Sequence, residues 1–500
     1  MGCAQQERGV ILTLGPIMTE SSSHTRRWIL LGVLVVLGLA LLVWGVWLWR
    51  LNVAVQHQVD AARAAGHPMT YEELRAYHAR PTEPHAGQVY ERAFARFVED
   101  EELERLLPIV GSVKAPPRGV AWPNEWLEVA EQYLEMNREA LEMLDEAARM
   151  GPAWFDIQFE DGIQARLAHL SQLRRSARLL RLQAKHQAQT GRVDEAVDTV
   201  VALWGVSEAL ADQPNLTSQL VGVSLFASAV IATEDLLADA QLSGEQLMRL
   251  AQVMDATDDG GRGLVRAFVG ERAIFHMMIR RGEIAGNGAL LYALRATGLY
   301  QHGHAAFLKY MNELVSHAQD SPHRNDPYPQ MESTPLWVFE LMVPAHGAAL
   351  DGVMRTRARR DLVTVGLAAA RFERERGRLP ETLDELVPSY LAAVPADRFA
   401  DEPIRYRRTQ SGAIVYSVGP SEVDHGGREP DRYNFEGLEE ADITFTLGGA
   451  QAELWPQQWP DWSPPEDWGK EQEPWDRWSP PEDHDEQEAE DWSADDADEY

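Results

Sequence analysis

The sequence predicts a mainly α-helical membrane protein with a single N-terminal transmembrane helix, a large extracytoplasmic helical domain, a small α+β module and a disordered acidic tail. Three observations predict it. One uninterrupted apolar stretch lies near the N-terminus, apolar residues recur at helical spacing through most of the chain, and strand-like alternation appears only after residue 400. The predicted boundaries are 1–27 (cytoplasmic stub), 28–49 (transmembrane helix), 50–350 (helical domain), 351–450 (α+β module) and 451–500 (tail).

The predicted transmembrane helix covers residues 28–49 and contains no charged residue. Its length of about 33 Å exceeds the roughly 30 Å of a hydrocarbon core. Tryptophans near both ends and arginines outside them are typical of a membrane anchor. These residues are Arg26, Arg27, Trp28, Trp44, Trp47, Trp49 and Arg50. The positive-inside rule predicts an uncleaved single-pass anchor in a bacterial cytoplasmic membrane, with lipid around 28–49, the N-terminus in the cytoplasm and the C-terminus in the periplasm.

Charge and cysteine content limit the classes of function. The formal net charge of −32 argues against nucleic-acid binding, which needs a basic surface. Cys3 is the only cysteine, so no intramolecular disulfide can form, which suits a bacterial envelope protein. Translation starting at Met1 and translation starting at Met18 both remain open.

The region from 50 to 350 alternates helix-start and helix-stop signals with apolar residues at helical spacing. Thr70 and Glu73 form a capping box, which predicts a short helix through about His78. The other predicted helices, of which the last continues past this region, are 88–106, 124–150 with Asn124 as the cap, 164–190, 193–210, one opened by Ser243, 265–282, 286–298, 303–318 and 336–376.

Two of these segments suggest more than a helix. The pair 164–190 and 193–210, joined at Gly191, resembles one tetratricopeptide-type hairpin, in which a small residue such as Ala196 permits close packing. No fixed period follows, so we do not predict a solenoid. The apolar stretch 216–232 fits either a second membrane span or a buried core helix; its serines and threonine favour the core helix.

The C-terminal module begins with a helix that ends at Gly377, after which Pro380 suits a first helical turn. Strand-like runs over 404–406 and 413–416 flank a turn and predict a hairpin, and 442–447 alternates as a third strand. We therefore expect a helix with a three-stranded antiparallel sheet.

This module resembles the C-terminal half of the major pseudopilins of type II secretion. The matching positions are Gly377, Arg378, Pro380, Leu383, Leu386, Val387, Tyr390, Leu391, Pro395, Asp397, Tyr416, Ser417, Gly419, Asp424, Gly426 and Gly427. The resemblance implies a helix packed on a small antiparallel sheet and a calcium-binding loop. The pseudopilin processing site is replaced by Ser-His-Thr-Arg-Arg-Trp over 23–28, so we expect no pilin-like processing.

The outer region as a whole is also similar to an uncharacterised bacterial family of single-pass membrane proteins that carry this module at their end. The similarity is carried by residues 69–74, 169–182, 191–196 and 377–427. To our knowledge that family has no assigned activity, so the similarity implies an architecture without a reaction.

Two features could bind something. Asp397, Glu422 and Asp424 offer oxygen ligands for calcium, with a solvated acidic turn as the alternative. Residues 451–500 hold 18 acidic residues against two basic ones and repeat Trp-Ser-Pro-Pro-Glu-Asp, which predicts a disordered tail. Trp462 and Trp478 are its candidate contacts with a protein partner; the alternative is a tail that only improves solubility.

Recognisable catalytic chemistry is sparse. The sequence has no phosphate-binding loop, zinc-protease motif, nucleophile elbow or CxxC. A metal could use His302 and His304 with His276 or His317, but scattered surface histidines are the favoured interpretation. Glu271-Arg272 could be a buried charge pair, for which a structural role is the default, and Glu160-Asp161 could be a carboxylate pair for acid–base chemistry or an ordinary acidic loop. We therefore predict no cofactor other than calcium and favour a membrane-anchored interaction or scaffold protein. The alternatives are an accessory part of a secretion or pilus-like system and an envelope hydrolase with a site in the helical domain.

Overall fold

The computed structural model describes residues 22–283, 288–319, 328–340, 343–429 and 441–451. The described chain is mainly helical with one small antiparallel sheet near the C-terminus, as predicted. Cys3, Met18 and the predicted tail beyond Gln451, including Trp462 and Trp478, lie outside the described residues.

Helix α1 (Ser22–Ala64) is a single helix of 43 residues, longer than the predicted span. Its apolar part is exposed: none of the residues in its most apolar 18-residue stretch is buried, which is typical of a membrane anchor or a signal sequence. Beyond Trp49 the helix continues and becomes part of the folded protein. There Val59 and Ala62 pack with Met69 and with Leu308.

The next helices are α2 (Tyr71–Tyr77), α3 (Ala86–Phe94), α4 (Glu101–Arg105), α5 (Asn124–Met136) and α6 (Arg138–Ala148). Helix α2 agrees with its prediction, whereas α3 to α6 are shorter than predicted. The cap at Thr70 is confirmed, since its hydroxyl accepts from the Glu73 amide at 3.1 Å, while the Glu73 carboxylate accepts from the Met69 amide at 2.6 Å. The prediction of a single helix over 88–106 was wrong, since α3 and α4 are separate helices.

The prediction of a single helix over 124–150 was also wrong. The helix is interrupted at Asn137, whose side chain explains the interruption. Its buried side chain accepts from the Val98 amide at 2.9 Å and donates to the Val98 carbonyl at 3.2 Å. The same side chain donates at 3.1 Å to the Tyr133 carbonyl, which would accept the Asn137 backbone amide in a continuous helix, and so competes with its continuation. Asn124 is the first helical residue, and Pro123 occupies the cap position.

The central layer consists of α7 (Ala168–Gln189), α8 (Val193–Glu208), α9 (Leu216–Asp239) and α10 (Gly244–Ala256). The predicted α7–α8 hairpin is confirmed: Gly191 has a φ of +79° at the turn and Ala196 is fully buried. Ser243 forms the predicted capping box with Gln246. Half of the most apolar window of α9 is buried within the protein, in agreement with the core-helix interpretation.

The last helices are α11 (Gly261–Arg281), α12 (Ala289–Thr297), α13 (Leu299–Gln319) and α14 (Val343–Arg376). Helix α13 lies along the outer part of α1, where Leu308 joins the cluster described above. Helix α14 begins at Val343 instead of Leu336, because a separate 3-10 turn covers 337–339 and inserts Phe339 against Tyr300.

The sheet contains β1 (Arg405–Arg408), β2 (Gly412–Ser417) and β3 (Ile443–Gly448) in the order β1-β2-β3, all antiparallel. It packs on α14 where the Phe445 ring lies so close to Gly366 that an added Cβ would come within 2.2 Å of it. The apolar residues on one face of the sheet share one continuous core with those of α7–α10; they are Ala413, Val415, Ile443, Phe445 and Leu447. The helical turn expected at Pro380 is a 3-10 turn over Leu383–Leu386.

Candidate functional site

A solvent-open groove of about 410 Å³ lies between α5 and α6 on one side and α7 and α8 on the other. Leu134, Leu141, Leu180 and Ala202 give its floor an apolar component. The rim carries six carboxylates and three guanidinium groups, a formal excess of three negative charges. The charged lining residues are Glu131, Glu135, Arg138, Glu142, Asp145, Arg149, Arg192, Glu195 and Asp198. Such a surface fits a partner with basic and apolar side chains.

Ion pairs arrange the rim. Arg138 donates to Glu135 and to Glu142, both at 3.1 Å, and Arg149 pairs with Asp145 at 2.7 Å. These pairs are largely exposed, so each contributes little to stability. Partial burial, with Asp198 nearby, raises the pKa of Asp145 above its ordinary value, while Arg149 opposes the shift. The rim therefore presents ion-paired charged groups to solvent.

The polar groups in the floor are already bonded to one another. Thr199 donates to Gln187 at 2.7 Å, and the Arg192 guanidinium lies 2.9 Å from Nδ1 of His186. Because a guanidinium only donates, Nδ1 accepts, and the other ring nitrogen is left to donate to the Leu127 carbonyl. Burial and Arg192 lower the pKa of His186. Both ring nitrogens are thus occupied, so the histidine has no free position for acid–base chemistry on a bound molecule.

A buried charge network lies where the helical region meets the sheet, and its centre is Arg118. The guanidinium pairs with Glu234 at 2.8 Å, with Glu429 at 2.8 Å and with Asp235 at 3.3 Å, and it donates to the Thr446 hydroxyl at 2.9 Å. Burial alone would lower the pKa of Arg118, but the three carboxylates outweigh burial and raise it. Burial raises the pKa of Glu234, although Arg118 opposes the shift.

The same network fixes the end of the described chain. The Arg118 amide donates to the side chain of Gln451 at 2.7 Å, and Gln451 donates to Glu429. Glu234 accepts from the Thr446 amide at 2.8 Å, which ties α9 to β3. The network joins a loop, a central helix and the sheet, and holds the chain at the point where the predicted tail begins.

The three calcium candidates lie near one another but are engaged within the protein. Asp397 is buried and accepts from the Ser417 hydroxyl at 2.6 Å and from the Val418 amide at 3.0 Å. Arg405 pairs with Asp397 at 3.3 Å and with Asp424 at 3.0 Å, so a cation already occupies the space between these carboxylates. Glu422 is exposed on a left-handed turn.

Sequence reasoning missed Asp442, which organises the adjacent loop. Its carboxylate accepts from the amides of Gly427 at 2.6 Å and of His425 and Arg428 at 3.3 Å each. Among the residues that the structure describes, no group of three or more His, Cys, Asp or Glu side chains is arranged for a metal. Calcium binding at this loop stays a prediction.

Two of the four candidate histidines meet between α11 and α13. Nδ1 of His276 and Nε2 of His304 are 3.0 Å apart. Burial lowers the pKa of His276 to about 4 and that of His304 to about 3, so both rings are neutral at pH 7. His302 is not part of this pair, and the His317 ring packs against Tyr328.

Three residues considered in the search for catalytic groups, Glu271, Arg272 and Glu160, have structural roles. Glu271 accepts from the Leu216 amide at 3.1 Å, whereas Arg272 donates to the side chain of Asn312 at 2.7 Å. Asn312 in turn donates to Gln58 of α1 at 2.9 Å. Glu160 pairs with Arg75.

The predicted anchor residues lie on α1. Trp28, Trp44, Trp47 and Trp49 are exposed, as are Arg27 and Arg50, while the side chain of Arg26 is outside the description. The Trp44 indole donates to the Ala296 carbonyl of α12 at 2.6 Å. The end of the folded protein that contains α12 therefore lies against the apolar segment.

The groove, the Arg118 network and the Asp442 loop were all missed by sequence reasoning, because each depends on residues far apart in the chain. Only Pro116 and Pro117, before Arg118, hinted at a constrained loop. Comparison with known proteins adds no family: no protein-family model matches this chain, and neither a curated protein nor a solved structure matches it.

Proposed function

We propose that this chain is a membrane-anchored interaction or scaffold protein of the bacterial cell envelope. Residues 28–49 cross the cytoplasmic membrane, the N-terminus lies in the cytoplasm, and the rest of the chain lies in the periplasm. The bare apolar part of α1 supports the anchor. The acidic groove supports the interaction role and is the observation that carries the proposal.

The chemistry of the groove indicates the kind of partner. Its apolar floor can accept aliphatic or aromatic side chains, and its acidic rim attracts lysine and arginine. A segment of a protein with alternating basic and apolar residues satisfies both. The engaged nitrogens of His186 favour binding over hydrolysis in the groove.

Site-specific photocrosslinking in intact cells tests the proposal. A photoreactive residue at Gln183, which lines the groove, should give a discrete crosslinked adduct with a partner. The matched control carries the same residue at Met248, which is exposed on α10 and does not line the groove. The double reversal E131K/E135K should abolish the Gln183 adduct without changing protein abundance.

Two outcomes would overturn the groove as the binding site. Equal adducts from Gln183 and Met248 would indicate nonspecific proximity, and an adduct that survives the charge reversal would exclude electrostatic recognition. A variant that ends after Gln451 measures the contribution of the tail. The stop must not be placed earlier, because Ala450 and Gln451 are buried in the core.

An accessory role in a secretion or pilus-like system is a second candidate, favoured by one observation. Strand β1 is the edge of the sheet, and its Arg407 and Arg408 are exposed. An edge strand can pair with a strand of another protein. A photoreactive residue at Arg407 in the same experiment should capture a pseudopilin if this role is correct.

A further inference from the structure

Helix α12 lies beside the apolar part of α1 and is fixed to it by a specific contact. The Trp44 indole donates to the Ala296 carbonyl at 2.6 Å. At the next turn, an added Cβ on Gly298 would come within 2.7 Å of Leu51 and 2.8 Å of Trp47. With a φ of +81°, Gly298 ends α12 and lets the chain turn into α13 against α1.

This contact places α12 at a definite depth. Trp44 precedes Trp49, at the end of the apolar segment, by five residues, or about 7 Å along a helix axis. Interfacial helices typically lie about 5–10 Å into the boundary between headgroups and acyl chains. If residues 28–49 cross the membrane, the C-terminal end of α12, at Ala296, is therefore level with that boundary.

Helix α12 exposes apolar side chains. Within the described residues, Leu290 is 65% exposed and Tyr292 is 75% exposed, whereas Leu291 between them is buried. The Leu291 side chain lies close to Gly282 at the end of α11. The helix meets the exposed apolar surface of α1 at Ala296, which is itself exposed, so the apolar surface of α1 continues onto α12.

Arginines accompany this surface in a protein of net charge −32. Arg280 and Arg281 are exposed at the end of α11, and Arg50 is exposed on α1. Arg295 of α12 donates to the Arg280 carbonyl at 3.1 Å, which holds the ends of α11 and α12 together. Arginine beside apolar and aromatic residues is typical of a protein surface that meets phospholipid headgroups.

We infer that α12 is an interfacial helix that docks the folded domain onto the outer leaflet of the membrane. Leu290 and Tyr292 enter the boundary between headgroups and acyl chains, and Arg280, Arg281 and Arg295 face lipid phosphates. The domain then stands in a fixed orientation on the membrane. This inference rests on the proposed membrane span, because without that span nothing sets the depth of α12.

Depth-dependent fluorescence quenching tests the inference with the full-length protein in phospholipid nanodiscs. The natural cysteine is removed by Cys3→Ser, and single cysteines at three exposed positions carry an environment-sensitive dye. Tyr292→Cys reports on α12, Leu37→Cys on the middle of the apolar segment, and Met248→Cys on α10 as the control. The nanodiscs contain phospholipids spin-labelled either near the headgroup or deep in the acyl chain.

The expected result is at least twofold quenching of the dye at 292 by the shallow label, quenching at 37 by the deep label, and none at 248. Quenching at 37 without quenching at 292 would overturn the docking of α12 and leave the membrane span intact. Absence of quenching at 37 would overturn the span and the docking together. Leu290→Cys provides a second reporter should Tyr292→Cys fold poorly.

Discussion

Arg118 and Arg272 are both almost fully buried, at 3% and 1% exposure, but their surroundings differ. Arg118, in the part of the protein that packs on the sheet, is paired with three carboxylates. Arg272, in the part that packs on α1, donates to the side-chain oxygen of Asn312, while its Nε and a second terminal nitrogen have no hydrogen-bond partner among the described residues. The pKa of Arg118 is raised, whereas burial lowers that of Arg272 to about 10.

The comparison shows two ways of holding a domain together. The sheet and the helices that pack on it, which we call the sheet-bound part, are held by a charge network. This network joins the loop that contains Arg118 to α9, β3 and Gln451. The anchor-bound part, α11 to α13 with α1, relies on amides and on neutral buried histidines. The weaker polar interactions near α1 suit a region that adjusts to a membrane surface. The charge network of the sheet-bound part holds the groove in a fixed arrangement.

The largest effect that we expect is from Arg118→Met. Removing the guanidinium leaves Glu234 and Glu429 buried without their cation, which should lower the free energy of unfolding by about 3–5 kcal/mol. Urea denaturation of the full-length protein in nanodiscs, followed by circular dichroism, measures the loss. The control is Arg138→Met, whose partners are exposed and whose loss should be below about 1 kcal/mol. Equal losses would contradict the comparison.

Acidification should weaken the anchor-bound part. Burial lowers the pKa of His276 and His346 to about 4 and of His304 to about 3, from an unfolded value near 6.5. Between these values the unfolded state binds more protons, so the stabilisation is complete above pH 6.5 and is lost as the pH falls toward 4. At pH 5 each histidine should cost about 2 kcal/mol.

Hydrogen exchange at pH 7.5 and pH 5.0, corrected for the intrinsic rate, measures this effect by region. The opening free energy of α11 and α13 should fall at pH 5.0, while that of β3 should not. The pKa of Glu234, beside β3, is raised, so the folded state there binds the extra proton and is not destabilised by acid. A loss at β3 as large as that at α11 and α13 would contradict the assignment of the effect to the buried histidines of α11, α13 and α14.

The smallest effect should come from Arg272→Met. A thioether of similar length fills the site and removes the two nitrogens that have no partner, so the loss of one bond to Asn312 is offset. The free energy of unfolding should change by less than about 1 kcal/mol. A loss as large as that of Arg118→Met would show that Arg272 is bonded to something essential.

Local signals predicted much of the fold. The apolar run of α1, the caps at Thr70 and Ser243, the Gly191 turn and the β1–β2 hairpin each depend on residues that are near one another in sequence. These elements form because backbone preferences and short-range side-chain bonds agree with the final packing.

The remaining features depend on long-range contacts that leave no local pattern. Asn137 divides α5 from α6 through a bond to Val98, and Arg118 meets carboxylates more than one hundred residues away. The groove also required the packing of two helical hairpins, since its lining comes from four helices. Of the candidate sites, the sequence suggested a metal site at His302 and His304 with His276 or His317. The structure joins only His276 and His304 of these, as a neutral hydrogen-bonded pair.

The central claim is that the groove faces the outside of the membrane, and cysteine labelling in spheroplasts tests it directly. In a Cys3→Ser background, Glu142→Cys places a thiol on the exposed rim of the groove. A membrane-impermeant maleimide should label it equally before and after lysis of the cells. Labelling that occurs only after lysis would place the groove in the cytoplasm and contradict the proposed membrane-anchored envelope protein.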